Sequence, residues 1–121
     1  MQNSNQYPPV ITSNIIVTIA SSASLSNAID LSGTTFSGYV TPAAWTSANI
    51  TFQASVDGTN FFNLYDSFGN EVTNVVSTSR FVSLVPSDMA SIRYLKFRSG
   101  TSATPVSQAA ERQITIVTRT V

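Results

Sequence analysis

The segment that decides the fold runs from Asn49 to Tyr65 and reads Asn49-Ile50-Thr51-Phe52-Gln53-Ala54-Ser55-Val56, Asp57-Gly58, Thr59-Asn60-Phe61-Phe62-Asn63-Leu64-Tyr65. In its first part apolar residues alternate with polar ones, which is the period of a half-buried β-strand. The Asp57-Gly58 pair tolerates the positive φ angles of a tight turn, and the alternation then resumes. We therefore predict a β-hairpin across Asp57-Gly58.

The same period of two recurs on both sides of this hairpin. The further strand candidates are Asn14 to Ala20, Leu25 to Leu31, Thr35 to Val40, Glu71 to Val76, Arg80 to Val85, Ile92 to Arg98 and Gln113 to Val121. Within Thr35 to Val40, Phe36 and Val40 are expected to share a face. The pattern also suggests that Arg80 to Val85 pairs with Ile92 to Arg98.

Helical signals are confined to two short segments. Pro86 to Ala90 predicts one helical turn, with Pro86 setting φ and Ser87 or Asp88 able to cap it. A second turn is predicted at Ala109 to Arg112. Short strands with a turn signal roughly every ten residues are typical of an antiparallel β-sandwich.

We predict an all-β fold, an antiparallel β-sandwich of the jelly-roll or a related Greek-key type. The first and last strands are both strongly apolar and are expected to pair within the core. Residues 13–121 form the single sandwich domain in this prediction. Residues 1–12 are polar and contain Pro8-Pro9, which favours extended geometry, so we predict a short extended N-terminal arm.

The residue types argue against an enzyme. The 121 residues include no Cys and no His, which removes thiol nucleophiles, thiolate metal sites and the usual neutral-pH base. The carboxylates Asp57, Asp66 and Glu71 lie at turn signals, where an aspartate normally bonds nearby backbone N–H groups. Asp66, Asn70 and Glu71 lack the alternating spacing of a calcium loop. We expect no catalytic residue, no cofactor and no metal.

The charges are few and separated along the chain. Residues 1–79 carry four acidic residues and no basic one, whereas residues 80–121 carry six basic and two acidic residues. The two halves can pair their charges within one domain through neighbouring strands, which is the favoured interpretation. The alternative is a head-to-tail contact between copies, in which an acidic patch meets a basic one.

The surface composition suggests a protein that is partly covered by neighbours. Charged residues make up 10% of the chain, so Ser, Thr, Asn and Gln supply most of its polarity. Arg93 to Arg98 interleaves basic and aromatic residues, but an ordinary half-buried strand explains this better than nucleic-acid binding. No apolar run reaches the length of a membrane span. We expect neither nucleic acid nor membrane as a partner, and synthesis in the host cytoplasm.

The aromatic residues leave two interpretations open. Trp45, Tyr39, Phe61 and Tyr65 could form a platform on which sugar rings stack. A single Trp beside Pro42 more often plugs the open end of a sandwich or anchors a subunit contact, and we favour this core or interface role for Trp45.

The chain from Ala23 to Arg98 resembles a family of small tailed-bacteriophage virion proteins. The residues that carry the likeness are Ser24-Leu25-Ser26-Asn27-Ala28-Ile29-Asp30-Leu31, Val40-Thr41-Pro42-Ala43-Ala44-Trp45, Ile50-Thr51-Phe52-Gln53-Ala54-Ser55-Val56-Asp57-Gly58, Leu64-Tyr65-Asp66 and Ile92-Arg93-Tyr94-Leu95-Lys96. Arg98 to Thr101 and the segment through Gln108-Ala109-Ala110 also look like that family. The resemblance implies a structural role in a virion.

From this resemblance and the composition we expect a capsid decoration or cement protein on the outer capsid surface. Its partner would be the major capsid protein, and it would be a homotrimer or another homo-oligomer. The alternative is a tail, baseplate or fibre module that binds glycans. The residues expected at partner contacts are Tyr7, Pro8, Pro9, Trp45, Arg93, Lys96 and Arg98.

Overall fold

The computed structural model describes residues 12–120 of the chain, with side chains from Ile15 onward. The predicted contact residues Tyr7, Pro8 and Pro9 lie outside this range. The strands are β1 (Thr12–Ile19), β2 (Ile29–Asp30), β3 (Thr34–Val40), β4 (Ile50–Ser55), β5 (Phe62–Asn63), β6 (Phe81–Ser83), β7 (Tyr94–Ser99) and β8 (Arg112–Thr120), and one short helix, α1 (Pro86–Met89), lies between β6 and β7.

Two antiparallel four-stranded sheets confirm the predicted β-sandwich. One sheet has the strand order β1-β8-β3-β6 and the other has the order β2-β7-β4-β5. We call them sheet A and sheet B. The predicted pairing of the first and last strands is confirmed, because β1 pairs with β8 from Thr12 opposite Arg119 to Ile19 opposite Arg112. The outermost strands are therefore β1 and β6 in sheet A, and β2 and β5 in sheet B.

The predicted hairpin is confirmed, although its turn is longer than two residues. Ala54 of β4 lies opposite Phe62 of β5, so the intervening residues form an extended loop. The Asp57 carboxylate organises this loop by accepting hydrogen bonds from the backbone N–H groups of Thr59 and Asn60, both at 2.8 Å. These hydrogen bonds hold the pKa of Asp57 well below its usual range. The turn role predicted for Asp57 is thus confirmed.

A β-bulge in β3 changes which of its side chains face the core. The register shifts between Phe36 and Gly38 against β8, so one extra residue lies on β3. As a result Phe36 and Tyr39, three residues apart, are both fully buried, whereas Val40 is only partly buried. The prediction that Phe36 and Val40 share a face is wrong, because the simple alternation fails at the bulge.

The core between the sheets is centred on four aromatic rings, two from each sheet. The Tyr39 and Phe97 rings pack edge to face with their centroids 5.0 Å apart, and Phe52 packs on Phe97 at the same distance. Phe36 contacts all three of these rings. Each such pair adds about 0.5–1.5 kcal/mol beyond the burial of its area. This rigid centre fixes the relative position of the two sheets.

Three local predictions are wrong. The strands β6 and β7 do not pair, since they belong to different sheets. Glu71 to Val76 forms only isolated bridges, Glu71 with Tyr65 and Asn74 with Ile50 of β4, instead of a continuous strand. Ala109 to Arg112 holds no helical turn, since β8 already begins at Arg112.

The helical turn predicted at Pro86 exists, with Pro86 in its first turn. Its N-cap is Val85, which makes no side-chain capping bond, so the capping role expected of Ser87 or Asp88 is wrong. The turn is held instead by Met89, which is buried in the core. No helix within residues 12–120 is long and apolar enough to cross a membrane.

Candidate functional site

Arg98 faces away from the aromatic core but is nevertheless buried. Its Nη1 lies 3.3 Å from Glu71 Oε2, and the two side chains keep only 7% and 14% of their surface exposed. Nη2 donates to Asn63 Oδ1 at 2.6 Å. The Glu71 carboxylate in turn accepts the backbone N–H of Ser102 at 3.3 Å. Arg98 is predicted at a subunit face, but its guanidinium makes its hydrogen bonds and ion pair inside the domain.

Arg93 and Lys96 remain on the surface of sheet B. Arg93 Nε lies 3.5 Å from Asp30 Oδ1, and both side chains are about half exposed. Hydrogen bonds from Ser32, with a smaller contribution from Arg93, lower the pKa of Asp30. Lys96 Nζ lies 4.3 Å from the centre of the Phe61 ring. Both cations are positioned by neighbours and stay accessible to a partner.

The two ion pairs bear on how the chain's charges are arranged. Arg93 and Arg98 come from the basic half of the sequence, and Asp30 and Glu71 come from the acidic half. Both pairs form within one chain, as the favoured interpretation of the charge separation expects. Arg80 and Arg119 are exposed, and each lies in or next to an element of sheet A.

Trp45 lies in the loop between β3 and β4, where it is partly buried against the core. Its indole Nε1 donates to Ala48 O at 3.0 Å. The neighbouring Thr46 is fixed by Gln108, a fully buried amide that accepts from Thr46 N at 2.8 Å and donates to Thr46 O at 3.0 Å. Gln108 Oε1 also accepts a hydrogen bond from Arg112 Nε at 3.0 Å. The ring therefore has a packing role, as the core interpretation expects.

The alternative interpretation, an aromatic platform of Trp45, Tyr39, Phe61 and Tyr65, is wrong. Tyr39 is fully buried, and its hydroxyl donates to Asn74 Oδ1 at 2.8 Å. This burial raises the pKa of the Tyr39 phenol. The physical reason is the bulge in β3, which turns Tyr39 inward. Of the four platform residues only Tyr65 is largely exposed.

A groove that the sequence analysis missed lies at the open side of the sandwich. It has a volume of about 380 Å³ and is bounded by the β4–β5 hairpin and by α1 with the residues after it. Its lining residues are Ala54, Ser55, Val56, Phe62, Leu64, Tyr65, Asp66, Ser67, Ser87, Asp88, Ser91 and Ile92. Val56, Phe62 and Tyr65 are among the most exposed large apolar side chains of the described chain.

The groove combines apolar walls with hydrogen-bond acceptors. Asp66 accepts the backbone N–H groups of Phe68 and Asn70 through Oδ1, so this carboxylate is fixed by its own turn. Asp88 lies on α1, across the groove. Among residues 12–120 the lining includes two carboxylates and neither lysine nor arginine. Such a surface suits a neutral or cationic ligand with apolar faces. A local sequence pattern cannot predict this groove, since α1 lies far from the hairpin in sequence.

A second accessible surface is the outer face of sheet A. In its central row Ile16 lies opposite Thr115, Thr115 opposite Val40, and Val40 opposite Phe81. Ile16 and Phe81, at the two ends of this row, are both more than half exposed. The row crosses all four strands without a charged side chain. It forms an uncharged band suited to contact with another protein surface.

Chemical groups for catalysis or metal binding are sparse in the described structure. Within residues 12–120 no three acidic side chains, the chain having no His or Cys, come together where they could hold a metal ion. Comparison with known proteins found no matching family model, no matching curated protein and no matching solved structure. The candidate site is therefore defined by the groove and the uncharged band alone.

Proposed function

We propose that this protein is a structural component of a bacteriophage virion, a capsid decoration or cement protein that bridges major capsid subunits on the outer shell. The observation that carries the proposal is the uncharged band across sheet A, from Ile16 to Phe81, on a domain with very few charges. Apolar and hydroxyl groups are covered by a partner at a lower desolvation cost than charged groups.

The complete hydrogen bonding of the described interior supports this role. The side-chain nitrogen and oxygen atoms buried in the described part of the chain all have hydrogen-bond partners. Two surface loops are also held by buried polar groups, the loop that contains Trp45 by Gln108 and the loop after β7 by the Arg98–Glu71 pair. A rigid surface loses little conformational entropy on binding, which favours stable assembly.

The strand pairing also bears on the finer fold class. The hydrogen-bonded neighbours include β1 with β8, β2 with β7, β3 with β6 and β4 with β5. This is the pattern obtained when one long antiparallel hairpin, four strands out and four strands back, is rolled into two sheets. We infer from it that the sandwich is a jelly roll, an architecture that recurs in viral shells.

Removal of residues 1–11 tests the predicted role of the N-terminal segment in assembly. Because β1 begins at Thr12, the truncated chain keeps every described element. We expect its melting temperature to change by no more than a few degrees, whereas its binding to capsids that lack the protein weakens at least tenfold. Thermal melting and co-sedimentation with such capsids measure the two quantities. Unchanged capsid binding by the truncated chain would contradict this assignment.

The second candidate function is a tail or fibre module that binds saccharides, and the groove is the observation that favours it. The apolar faces of Phe62 and Tyr65 can stack on a sugar ring, and the carboxylates of Asp66 and Asp88 can accept its hydroxyl hydrogens. The ligand class this predicts is a neutral saccharide. This site shares Tyr65 with the aromatic platform but does not include Trp45, Tyr39 or Phe61.

The pair Phe62→Ser and Phe68→Ser tests this candidate on an array of immobilised neutral glycans. Both rings are largely exposed, but only Phe62 lines the groove, so the two changes differ mainly in location. Saccharide binding predicts signal from the wild-type chain, at least a tenfold loss in Phe62→Ser and little change in Phe68→Ser. Absence of wild-type signal, or equal loss in both variants, rejects the groove as a saccharide site.

A further inference from the structure

Among the strands within residues 12–120, only β8 pairs with β1, so β1 is an edge of sheet A in this described range. Thr18 shows which backbone groups face the open side. Its N–H donates to Asn27 Oδ1 at 2.8 Å, and its C=O accepts from Asn27 N at 3.3 Å. Outward-facing groups recur at every second residue of an antiparallel strand, so Ile16, Asn14 and Thr12 present theirs on the same side. Asn27 therefore closes the edge at Thr18, and no other residue of the described range from Ile15 onward closes it between Ile16 and Thr12.

The open part of this edge lacks the features that normally prevent strand pairing. Edge strands of monomeric proteins are usually short, or carry a charged residue, a proline or a bulge. The eight residues of β1 include no charged residue and no proline, and its register with β8 is uninterrupted. Among the residues from Ile15 onward, none makes a hydrogen bond to the outward N–H or C=O of Ile16. The edge can therefore pair with an additional strand, next to the uncharged band of sheet A.

We propose that β1 pairs with β1 of a second copy of the chain, antiparallel about a two-fold axis. The occupant of this edge must be an extended, uncharged segment that can continue the apolar band on one face. β1 itself meets these requirements, and antiparallel pairing of two identical strands is self-complementary. The contact joins two A sheets into one continuous sheet, with Asn14 of each copy at the axis and Ile16 opposite Thr12 of the other copy.

The position of Asn27 selects the register. Pairing beyond Ile16 would meet the closed edge at Thr18, so the open residues from Thr12 to Ile16 pair with one another. The register that uses all of them places Asn14 opposite its counterpart in the second copy and Thr12 opposite Ile16. Three pairs of outward-facing residues then exchange about six backbone hydrogen bonds. A contact of this kind gives a two-fold oligomer, and it does not depend on the virion role.

Sedimentation velocity of the full chain and its variants tests the contact. In Ile16→Pro the lost N–H is one that faces the open edge, so the ladder between β1 and β8 keeps its hydrogen bonds. We expect the wild-type chain to be dimeric at micromolar concentrations and Ile16→Pro to be monomeric with a similar melting temperature. A monomeric wild-type chain, or a folded Ile16→Pro that remains dimeric, overturns the proposal.

A matched pair of lysine variants distinguishes dimerisation through the β1 edge from association through the outer face of sheet A. Ile16→Lys and Thr115→Lys place the same charge in the same cross-strand row, on the edge strand and on the central strand β8 respectively. We expect Ile16→Lys to weaken dimerisation at least tenfold more than Thr115→Lys. The reverse order would mean that copies associate through the face of sheet A, which contradicts edge pairing.

Single cysteines test the register directly, because the natural chain has none. Opposed residues that exchange hydrogen bonds have Cα atoms about 5.5 Å apart, within the range of a disulfide. The proposed register therefore predicts that Asn14→Cys forms a disulfide-linked dimer on mild oxidation. Ile16→Cys is the control, because its counterpart in the second copy lies several residues away. Cross-linking of Ile16→Cys without cross-linking of Asn14→Cys rules the register out.

Discussion

Replacing Arg98 with methionine is expected to lower the free energy of unfolding by about 3–5 kcal/mol, because it leaves the buried Glu71 carboxylate without its cation. Asn63, which accepts from Nη2, loses a short charged hydrogen bond at the same time. Urea unfolding followed by circular dichroism measures the change. A double variant that also replaces Glu71 with leucine should recover part of the loss, since it removes the stranded charge.

The exposed ion pair between Arg93 and Asp30 provides the control for this prediction. Arg93→Met removes the same functional group from a pair whose side chains are about half exposed. Solvent screens such a pair, so the expected cost is less than about 1 kcal/mol. Similar unfolding free energies for Arg98→Met and Arg93→Met would show that the burial of Arg98 has no energetic consequence. An Arg98→Met chain that fails to fold, while Arg93→Met folds, agrees with the prediction.

Replacing Gly100 with alanine is expected to destabilise the domain by about 3 kcal/mol or more. Gly100 has φ +90°, a conformation that L side chains rarely adopt. An added Cβ would lie 2.5 Å from the backbone oxygen of Thr104 and 2.6 Å from the backbone nitrogen of Val106. Because both neighbours are backbone atoms, a side-chain rotation cannot relieve the contact. The loop that covers Arg98 would have to move.

Gly69 separates backbone strain from steric contact. It has φ +86°, close to that of Gly100, but an added Cβ would meet nothing within 4 Å. Gly69→Ala is therefore expected to cost only about 1 kcal/mol, the contribution of the positive φ alone. Thermal and urea unfolding of both variants give the comparison. Equal losses in the two variants would contradict the role assigned to the close approach at Gly100.

Local sequence patterns were sufficient for most of the fold. The alternation around Phe52 and the turn at Asp57 predicted the β4–β5 hairpin, and the apolar first and last strands predicted the β1–β8 pair. These features depend on neighbouring residues and on the period of two. The bulge in β3 could not be predicted in this way, because it arises from how the strand fits against β8 and β6. The simple alternation places Tyr39 on the face opposite Phe36, whereas in the structure both residues face the core.

The candidate site was harder to predict because it depends on contacts between distant segments. Arg98 alternates with Phe97 as an outward-facing strand residue should, but the sequence gives no sign that Glu71 and the loop after β7 cover it. The groove is likewise assembled from the β4–β5 hairpin and α1, although β5 ends at Asn63 and α1 begins only at Pro86. The exposed Val56, Phe62 and Tyr65 belong to a strand pattern that resembles that of a core strand.

The copy number and position of the chain in the mature virion test the central claim most directly. The proposed role requires that a phage encodes the chain, and cryo-electron microscopy of that phage's virions, with quantitative mass spectrometry of their proteins, supplies both. A decoration protein predicts hundreds of copies on the outer shell, each packed between major capsid subunits with the band from Ile16 to Phe81 covered. Absence of the chain from mature virions would contradict the proposed role, and a few copies confined to the tail would favour the saccharide-binding alternative.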